Sequence, residues 1–458
     1  VTPGDVTPAD VTRADGTPDG LRPVLAGARR RIAARAEAFA AAAARPDASA
    51  ADILVAEVLP LLAACRFLER RAARILAPTR PAGRPVWLFG TRLRVRRVPL
   101  GRVLVIGPSN YPLFLPGAQV LQALAAGNVV AVKPAPGCAA PMRLLRAALI
   151  EAGLRETALS VLDDDVAAAG AAIAGGVDHV VLTGAAQTGR AVLAALAPRL
   201  VPATMELSGR DAMIVLDGAD LDLAVAAAAF GLRLNAGRTC IAPRRLIVVA
   251  SLAETLAARL DAALADAPAV PLRDGVGARV VAIAGAAAVA GGMMRPRVVR
   301  AAAGEPWVDQ DLFAPLAALL VARDAAAAVA LANAGPYALG ATVFGPPEAA
   351  RRVAARLRAG CVVINDMIAP TADPALPFGG TGASGFGVTR GAEGLLAMTR
   401  PQAVVERTRR STRHLTLLPA TAAGLIAALL RLWYGGGGVG AVARLVARGL
   451  IAGRRPRS

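Results

Sequence analysis

Three polar residues stand where their types and surroundings could do carbonyl chemistry. Cys240 ends the segment NAGRTC (235–240), past a Gly-containing turn and ahead of Ile-Ala-Pro, in a polar loop between a helix and a strand. A thiol in such a loop is accessible, and the Arg238, Arg244 and Arg245 charges would favour its thiolate, the nucleophilic form. A lone cysteine is more often a small buried hydrophobe, so this segment by itself leaves both readings open. Glu206, in MELSG (205–209), ends a strand among apolar neighbours. Burial would raise its pKa and suit it to general-base work near neutrality, whereas a surface Glu in a turn would have no such role. Asn110, in PSNYP (108–112), follows the carboxyl end of a buried strand, where open α/β sheets gather ligands. Its amide can donate to a developing oxyanion or close an ordinary Asx-turn.

Two further features suit a phosphate-bearing ligand. Lys133 closes the next buried strand and is the only lysine in the chain, a candidate for ribose hydroxyls or phosphate. The segment TGAAQTG (183–189) bridges a strand and a helix. There Gly184 allows a tight turn, Gly189 allows close packing, and the helix N-terminus favours a pyrophosphate.

Composition decides how much weight the charge carries. The chain of 458 residues holds 52 Lys plus Arg against 33 Asp plus Glu, a net +19 that alone would suggest nucleic acid. All but one of those cations are arginine, and Asn occurs only at 110, 128, 235, 333 and 365. Such Ala/Arg/Gly/Pro/Val-heavy usage fits a GC-rich coding bias, so scattered Arg reads as solvated surface and no nucleic-acid partner is expected. In that background Lys133 and the surviving asparagines mark positions where Arg or Asp would not serve. Hydrophobic residues make up 55% of the chain, charged residues 19%, and the mean hydropathy is +0.50. That excludes global disorder and provides for a large core. Four widely spaced cysteines (Cys65, Cys138, Cys240, Cys361) and two histidines (His179, His414) form neither a disulfide framework nor a metal centre. A reducing cytoplasm is the expected compartment.

The elements that must position these groups alternate. Residues 21–78 read as helix, and 84–97 as a β-hairpin around Gly90. Strands at 102–107, 128–134 and 178–184 are separated by helices at 116–127 and from Met142 to Gly153, and followed by a helix stopped at Pro198. Units of that length imply parallel pairing and a doubly wound, Rossmann-like sheet. A second α/β segment has strands near 202–206, 212–216 and 244–250, a helix from Asp220 to Arg233, then PLAALLVA, a helix at 325–333 and CVVIND. Residues 251–310 are Ala-rich and unassigned, and PFGGTGASGFG (377–387) leads to a β-like QAVVER. Residues 1–20 read as a disordered leader without the apolar run of a signal peptide. The tail 411–458 is basic and apolar, too interrupted to span a membrane but able to dock on protein or lie peripherally on an anionic membrane.

Together these motifs resemble the aldehyde dehydrogenase superfamily, in the family's order, from about Gly101 to Val405. GPSNYP with LAAGNVVAVKP looks like its oxyanion Asn and cofactor Lys, LTGAAQTGR like its pyrophosphate turn, MELSGRDAMIVLDGADLD like its general-base motif, and NAGRTCIAPRR like its nucleophile motif. LFAP, ANAGPYALGATVF, VIND and PFGGTGASGFG match catalytic-domain landmarks. The resemblance implies a Cys240 nucleophile, a Glu206 base, an Asn110 oxyanion donor and a structural Asn235. It also implies NAD or NADP held by Pro108, Ser109, Lys133, Gly184, Gly189, Leu207, Asp311 and Phe313.

Several positions depart from the family's pattern. Asp311 stands for a longer Glu, Pro136 for the acid that grips a ribose 2′-hydroxyl, and Ala185 for a phosphate-binding Ser. Ser208, Arg210 and Arg238 replace Gly, Lys and Gln, and the segment from Cys240 to Asp311 is shorter by about two dozen residues, which would trim surface helices or reshape the substrate mouth. The implied architecture is a cofactor domain at 21–83 and 98–205, a catalytic domain at 206–400, and a β oligomerisation element at 84–97 and 401–410 giving a homodimer or homotetramer. The implied reaction is oxidation of a small-molecule aldehyde to its acid. A coenzyme A-acylating enzyme and a catalytically weakened scaffold of the same fold are the alternatives.

Overall fold

Ahead of the first sheet the chain is helical, but not in one piece. The computed structural model describes residues 21–45, 48–82, 90–408, 415 and 417–435. Helices α1 (Leu21–Ala34), α2 (Ala36–Ala42), α3 (Ala50–Ile53) and α4 (Leu59–Ile75) replace the continuous helix expected over 21–78. The breaks have local causes. Arg35 leaves helical geometry at φ −121°, and a Ser49/Asp52 capping box restarts the chain at α3. A π-helical turn at Leu54–Val58 then inserts an extra residue and turns Glu57 inward, where it is wholly buried.

The first α/β half follows strand β1 (Thr91–Pro99). It runs β2 (Arg102–Ile106), α5 (Phe114–Ala125), β3 (Val129–Lys133), α6 (Ala139–Glu151), β4 (Leu159–Val161), α7 (Val166–Ala174), β5 (His179–Gly184), α8 (Ala186–Leu196) and β6 (Ala203–Leu207). The second half begins β7 (Asp211–Val215), α9 (Leu221–Arg233), β8 (Pro243–Val249), α10 (Ala253–Leu264), β9 (Val270–Pro271), α11 (Val276–Ala284), β10 (Val289–Ala290) and β11 (Met293–Met294). It continues β12 (Arg297–Arg300), β13 (Leu316–Ala322), α12 (Ala325–Ala334), β14 (Tyr337–Ala338), β15 (Gly340–Phe344), α13 (Pro347–Ala354) and β16 (Cys361–Ile364). The chain then forms β17 (Thr381–Gly382), β18 (Gly385–Phe386), α14 (Gly391–Ala397), β19 (Thr399–Arg407) and α15 (Ala423–Tyr434). Asp165, Asp220 and Asp324 cap α7, α9 and α12 by accepting from backbone N–H groups three residues on.

Two six-stranded sheets result, in the orders β18-β6-β5-β2-β3-β4 and β12-β13-β8-β7-β15-β16. All pairs are parallel except β18 with β6. Both sheets are covered on both faces, which is why their strands read as unbroken apolar runs. One face of the first sheet packs Val103, Val105 and Val130 against α1, α4, α5 and α6; the other packs Leu104, Val180 and Leu182 with Ile173 and Leu196 of α7 and α8. In the second, Met213, Leu246 and Leu319 pack on α9 and α10, and Ile214, Ile247 and Leu320 on α12 and α13. Winding runs outward from β2 through β3 and β4, then returns to its other side through β5 and β6. The switch point between β2 and β5 opens a crevice at their carboxyl ends.

Among the described residues, one compact unit takes in residues up to Thr79 and Val95–Ala403, and the other Arg80–Arg94 and those from Val404 on. Strands β1 and β19 form a two-stranded sheet. The part of the expected hairpin at 84–89 lies outside the described residues, as do the leader 1–20 and most of the tail. No helix among the described residues is long and apolar enough to cross a membrane.

Candidate active site

The crevice at the switch point is a cavity of about 460 Å³. Its walls are the carboxyl ends of four parallel strands: Pro108, Ser109 and Asn110 after β2, Lys133 at the end of β3, Thr183, Gly184 and Ala185 at β5, and Glu206, Leu207 and Ser208 at β6. Asp311, Phe313 and Cys240 complete it from the second half. Gly189 is the one proposed contact that does not face this space. It lies inside α8, where a Cβ would stand 2.9 Å from the Leu207 side chain, so it lets the helix close on the cavity wall.

A second cavity, of about 400 Å³, lies beyond Cys240 and is walled mostly by apolar side chains. Three residues border both cavities: Cys240, Glu206 and Leu115. The sulfur and the carboxylate therefore stand at the junction of two spaces that could each hold a reactant.

The Cys240 loop is clamped by polar bonds that reach across the unit. Asn110 donates from Nδ2 to the Arg238 carbonyl at 2.9 Å, and its Oδ1 accepts from the Tyr111 N–H at 3.0 Å. An amide nitrogen carries two protons, so one donor of Asn110 stays available after this bond. Asn235, held at φ 50°, returns the clamp by donating to the Asn110 carbonyl at 2.9 Å. Its Oδ1 accepts from Arg45 Nε at 3.1 Å. Arg45 also pairs with Glu57, whose carboxylate accepts the Leu113 and Phe114 N–H groups at 2.7 and 3.1 Å. The inward turn of Glu57 thus caps α5 and supports the Asn110 loop. The Tyr111 hydroxyl adds a 2.6 Å bond to Thr239 Oγ1. Gly237 completes the loop at φ +71°, where a Cβ would stand 2.6 Å from Pro315.

Glu206 is positioned from the other side. It is 2% exposed, accepts from Thr183 Oγ1 at 3.3 Å, and its Oε1 has no hydrogen-bond partner. Strand β18 runs antiparallel to β6 with Gly385 opposite Glu206. A Cβ at Gly385 would fall 1.9 Å from the Met205 carbonyl, and the residue sits at φ +95°. This is what the Gly-rich segment does: it lets backbone lie directly on the strand that carries the carboxylate. Burial pushes the Glu206 pKa up, against the pull of Arg390 and the Thr183 bond.

The electrostatics of Cys240 differ from the expectation. Burial pushes its thiol up, and the Glu206 and Asp211 carboxylates push it further; Arg390 opposes them. The arginines nearest in sequence are engaged elsewhere. Arg244 donates to the carbonyls of Leu312, Ala314, Gly237 and Thr239 and lies 4.8 Å from the Phe313 ring centre. Arg245 donates to the carbonyls of Arg210, Leu331 and Ala332. Arg238 presents its carbonyl to Asn110. Both guanidiniums are taken up by backbone carbonyls; Arg244 still interacts with the Cys240 charge, but Arg390 is the arginine that opposes the rise of the thiol.

The polar groups lining the first cavity suit a dinucleotide. Asp311 Oδ1 is buried and has no hydrogen-bond partner, as a group waiting for ribose hydroxyls would be. Lys133 is buried at the opposite wall, with desolvation lowering its pKa. Pro136 lines the cavity without a carboxylate of its own, while Asp164 accepts from the Gly137 N–H at 2.8 Å and, with Asp165, acts on the Lys133 charge.

Comparison with known proteins gives the family. The aldehyde dehydrogenase family model matches residues 22–404. The chain belongs to the aldehyde dehydrogenase family. It is 32% identical over 395 residues to the 4,4'-diapolycopene aldehyde oxidase of Methylomonas sp, covering 81% of this chain and 74% of that protein. It is 34% identical over 342 residues to the NADP-dependent succinate-semialdehyde dehydrogenase of Deinococcus radiodurans, covering 68% of this chain and 70% of that one. The Mycobacterium tuberculosis aldehyde dehydrogenase complexed with NAD+ superposes with a TM-score of 0.77 at 25% identity, covering 84% of each chain. The fold is accordingly that of an aldehyde dehydrogenase, and the family consists of NAD(P)-dependent oxidoreductases.

Within the aldehyde dehydrogenase frame, the segment between Cys240 and Asp311, expected to lose surface helices or reshape the substrate mouth, contributes Arg273, Asp274, Val276 and Arg279 to the larger cavity and Ile241 to the apolar one. Arg273 donates to Ser109 Oγ at 2.9 Å and Arg279 to the Asp311 carbonyl at 3.1 Å. Sequence reasoning also missed Arg45, Glu57 and Arg390. Glu57 had a signal, a single acid inside the apolar run ILVAEVLPLL. The arginines had none, because this composition makes Arg uninformative.

Proposed function

We propose that the chain oxidises an aldehyde to its carboxylic acid with NAD or NADP, through covalent capture on Cys240. The observation that carries the reading is the place of Cys240 and Glu206 on the shared wall of two cavities. Cys240 loses its proton to solvent, and the sulfur adds to the aldehyde carbon. The free N–H of Asn110 Nδ2 and the Cys240 backbone N–H hold the resulting alkoxide as a thiohemiacetal. A nicotinamide held in the larger cavity would supply the hydride acceptor, and Cys240 would then carry the acyl group as a thioester. Glu206 then takes a proton from water through its unpartnered Oε1, the water oxygen attacks the thioester carbon, and Cys240 departs as thiolate. Its raised pKa brings this carboxylate closer to the proton affinity a base needs near neutrality. Pro108, Ser109, Lys133, Gly184, Leu207, Asp311 and Phe313 would hold the dinucleotide, with Gly189 acting through packing.

A carboxylate retained at the junction favours hydrolysis over transfer of the acyl group to coenzyme A. Segments 21–83 and 98–205 serve as the cofactor domain and 206–400 as the catalytic domain. The edges of β1 and β19 serve homodimer or homotetramer formation, since open strand edges favour pairing. Absorbance at 340 nm tests the reading with purified protein, a panel of aldehydes, and NAD or NADP. Reduced cofactor should accumulate with the parent and not with Cys240→Ala. A strict requirement for coenzyme A would replace the hydrolytic step, and equal rates from both proteins would remove the nucleophile.

A further inference from the structure

We infer that the substrate is a long or bulky apolar aldehyde that enters hydrocarbon-last, its tail filling the 400 Å³ cavity beyond Cys240. The inference rests on Cys240 as the nucleophile and concerns the space into which its substrate must extend. At about 30 Å³ per packed group, that volume takes roughly a dozen non-hydrogen atoms beyond the carbonyl. A two- to four-carbon aldehyde would leave most of it empty or wet.

Chemistry varies along the cavity in one direction. Polar groups gather at the reacting end: Cys240, Glu206, Thr239 and the Arg390 guanidinium. Arg390 is committed there. It donates to the Thr371 carbonyl, lies 4.3 Å from the Phe378 ring centre and 5.7 Å from that of Phe114, and interacts with the Glu206 and Cys240 charges. Farther out the wall is mostly apolar, with the exposed Asp373 the one further charged side chain among the described residues that line it. Val55 is 67% exposed, Leu59 59% and Phe230 48%, and all three line the cavity. The extra residue of the π-helical turn at Leu54–Val58 sends Glu57 inward while leaving Val55 and, one turn on, Leu59 at this opening. Exposed large apolar side chains grouped around a cavity mouth mark a surface that an apolar ligand covers. Among the described residues, no arginine or lysine other than Arg390 lines the cavity. A carboxylate several carbons from the aldehyde would therefore meet Val55, Leu59 and Phe230 rather than a cation, so short semialdehyde acids are poor substrates.

Burying one methylene is worth about a fourfold preference, or about twofold when half buried. From propanal to nonanal, six added methylenes therefore give a gain in kcat/KM on the order of a hundredfold. The experiment measures Cys240-dependent reduction of NAD or NADP by the full chain with propanal, hexanal, nonanal and succinate semialdehyde, and repeats the series with Leu59→Asp. The expected result is a kcat/KM that climbs through nonanal, with succinate semialdehyde no better than propanal. In Leu59→Asp the nonanal value should fall at least tenfold more than the propanal value. Cys240-dependent turnover with a flat or falling series, or with succinate semialdehyde preferred, overturns the substrate class and leaves the dehydrogenase reading intact. Absence of Cys240-dependent turnover with every aldehyde overturns both.

Discussion

Replacing Glu57 by Ala tests the clamp behind the site. The Glu57 carboxylate is wholly buried, accepts the Leu113 and Phe114 N–H groups at 2.7 and 3.1 Å, and pairs with Arg45, whose side chain is 9% exposed. Removing it strands two backbone donors at about 1–3 kcal/mol each and leaves a buried guanidinium without its counter-charge. These costs overlap, and breaking buried pairs from one side typically costs about 3–5 kcal/mol; about 4 kcal/mol is expected here. Pairing Glu57→Ala with Arg45→Met removes the stranded charge, so the double variant should be more stable than the sum of the singles by about 1–3 kcal/mol. Urea unfolding with linear extrapolation reads both quantities. Because Arg45 also holds Asn235, and Asn235 holds Asn110, kcat should fall about ten- to a hundredfold in Glu57→Ala. A cost below about 1 kcal/mol, or strict additivity across the cycle, would refute the reasoning.

Three more outcomes follow from the same structure. His179 is buried with Nδ1 unpartnered, and burial lowers its pKa to about 4 from 6.5. The unfolded chain therefore binds the extra proton between those values, so roughly 3 kcal/mol of stability present above pH 6.5 is lost as the pH falls to 4; denaturation curves of His179→Gln should show a flatter acid limb. Burial raises Asp211 to about 8, so folding favours its neutral form and stability declines as the pH rises from about 4 through 8. Asp211→Asn should be the more stable protein at pH 9, on the order of 1–3 kcal/mol, and a lower melting temperature there would count against this. Gly385→Ala combines a clash with the Met205 carbonyl and a positive φ, so a loss of about 2–5 kcal/mol and a slowed turnover are expected, against unchanged kinetics if β18 does not brace Glu206.

Much of the frame was legible because the physics behind it is local. Buried parallel strands leave unbroken apolar runs, so β2, β3 and β5 stand close to where their Val- and Leu-rich segments predict them. Asp220 marks the start of α9 because an N-cap must be a short acceptor. Cys240, Glu206 and Asn110 could be singled out from polar types at strand ends and loops, and all three line the larger cavity. What stayed hidden depends on contacts between distant segments. The Ala-rich stretch 251–310 contains α10 and α11, but alanine suits either face of a helix and leaves no period to read. The π-helical turn within 21–78 aims Glu57 at the start of α5, a partner more than fifty residues away. Arg390 reaches Cys240 from beyond the Gly-rich segment, while Arg244 and Arg245, its near neighbours in sequence, donate to carbonyls that only the folded chain gathers there.

The most direct test of the central claim is a rapid-mixing measurement on Glu206→Gln at 340 nm with saturating aldehyde and cofactor. If Cys240 captures the aldehyde and Glu206 activates the water, reduced cofactor should rise by about one equivalent per site and then stall, with acyl mass trapped on Cys240. Steady turnover at the parent's rate without a burst would contradict the account.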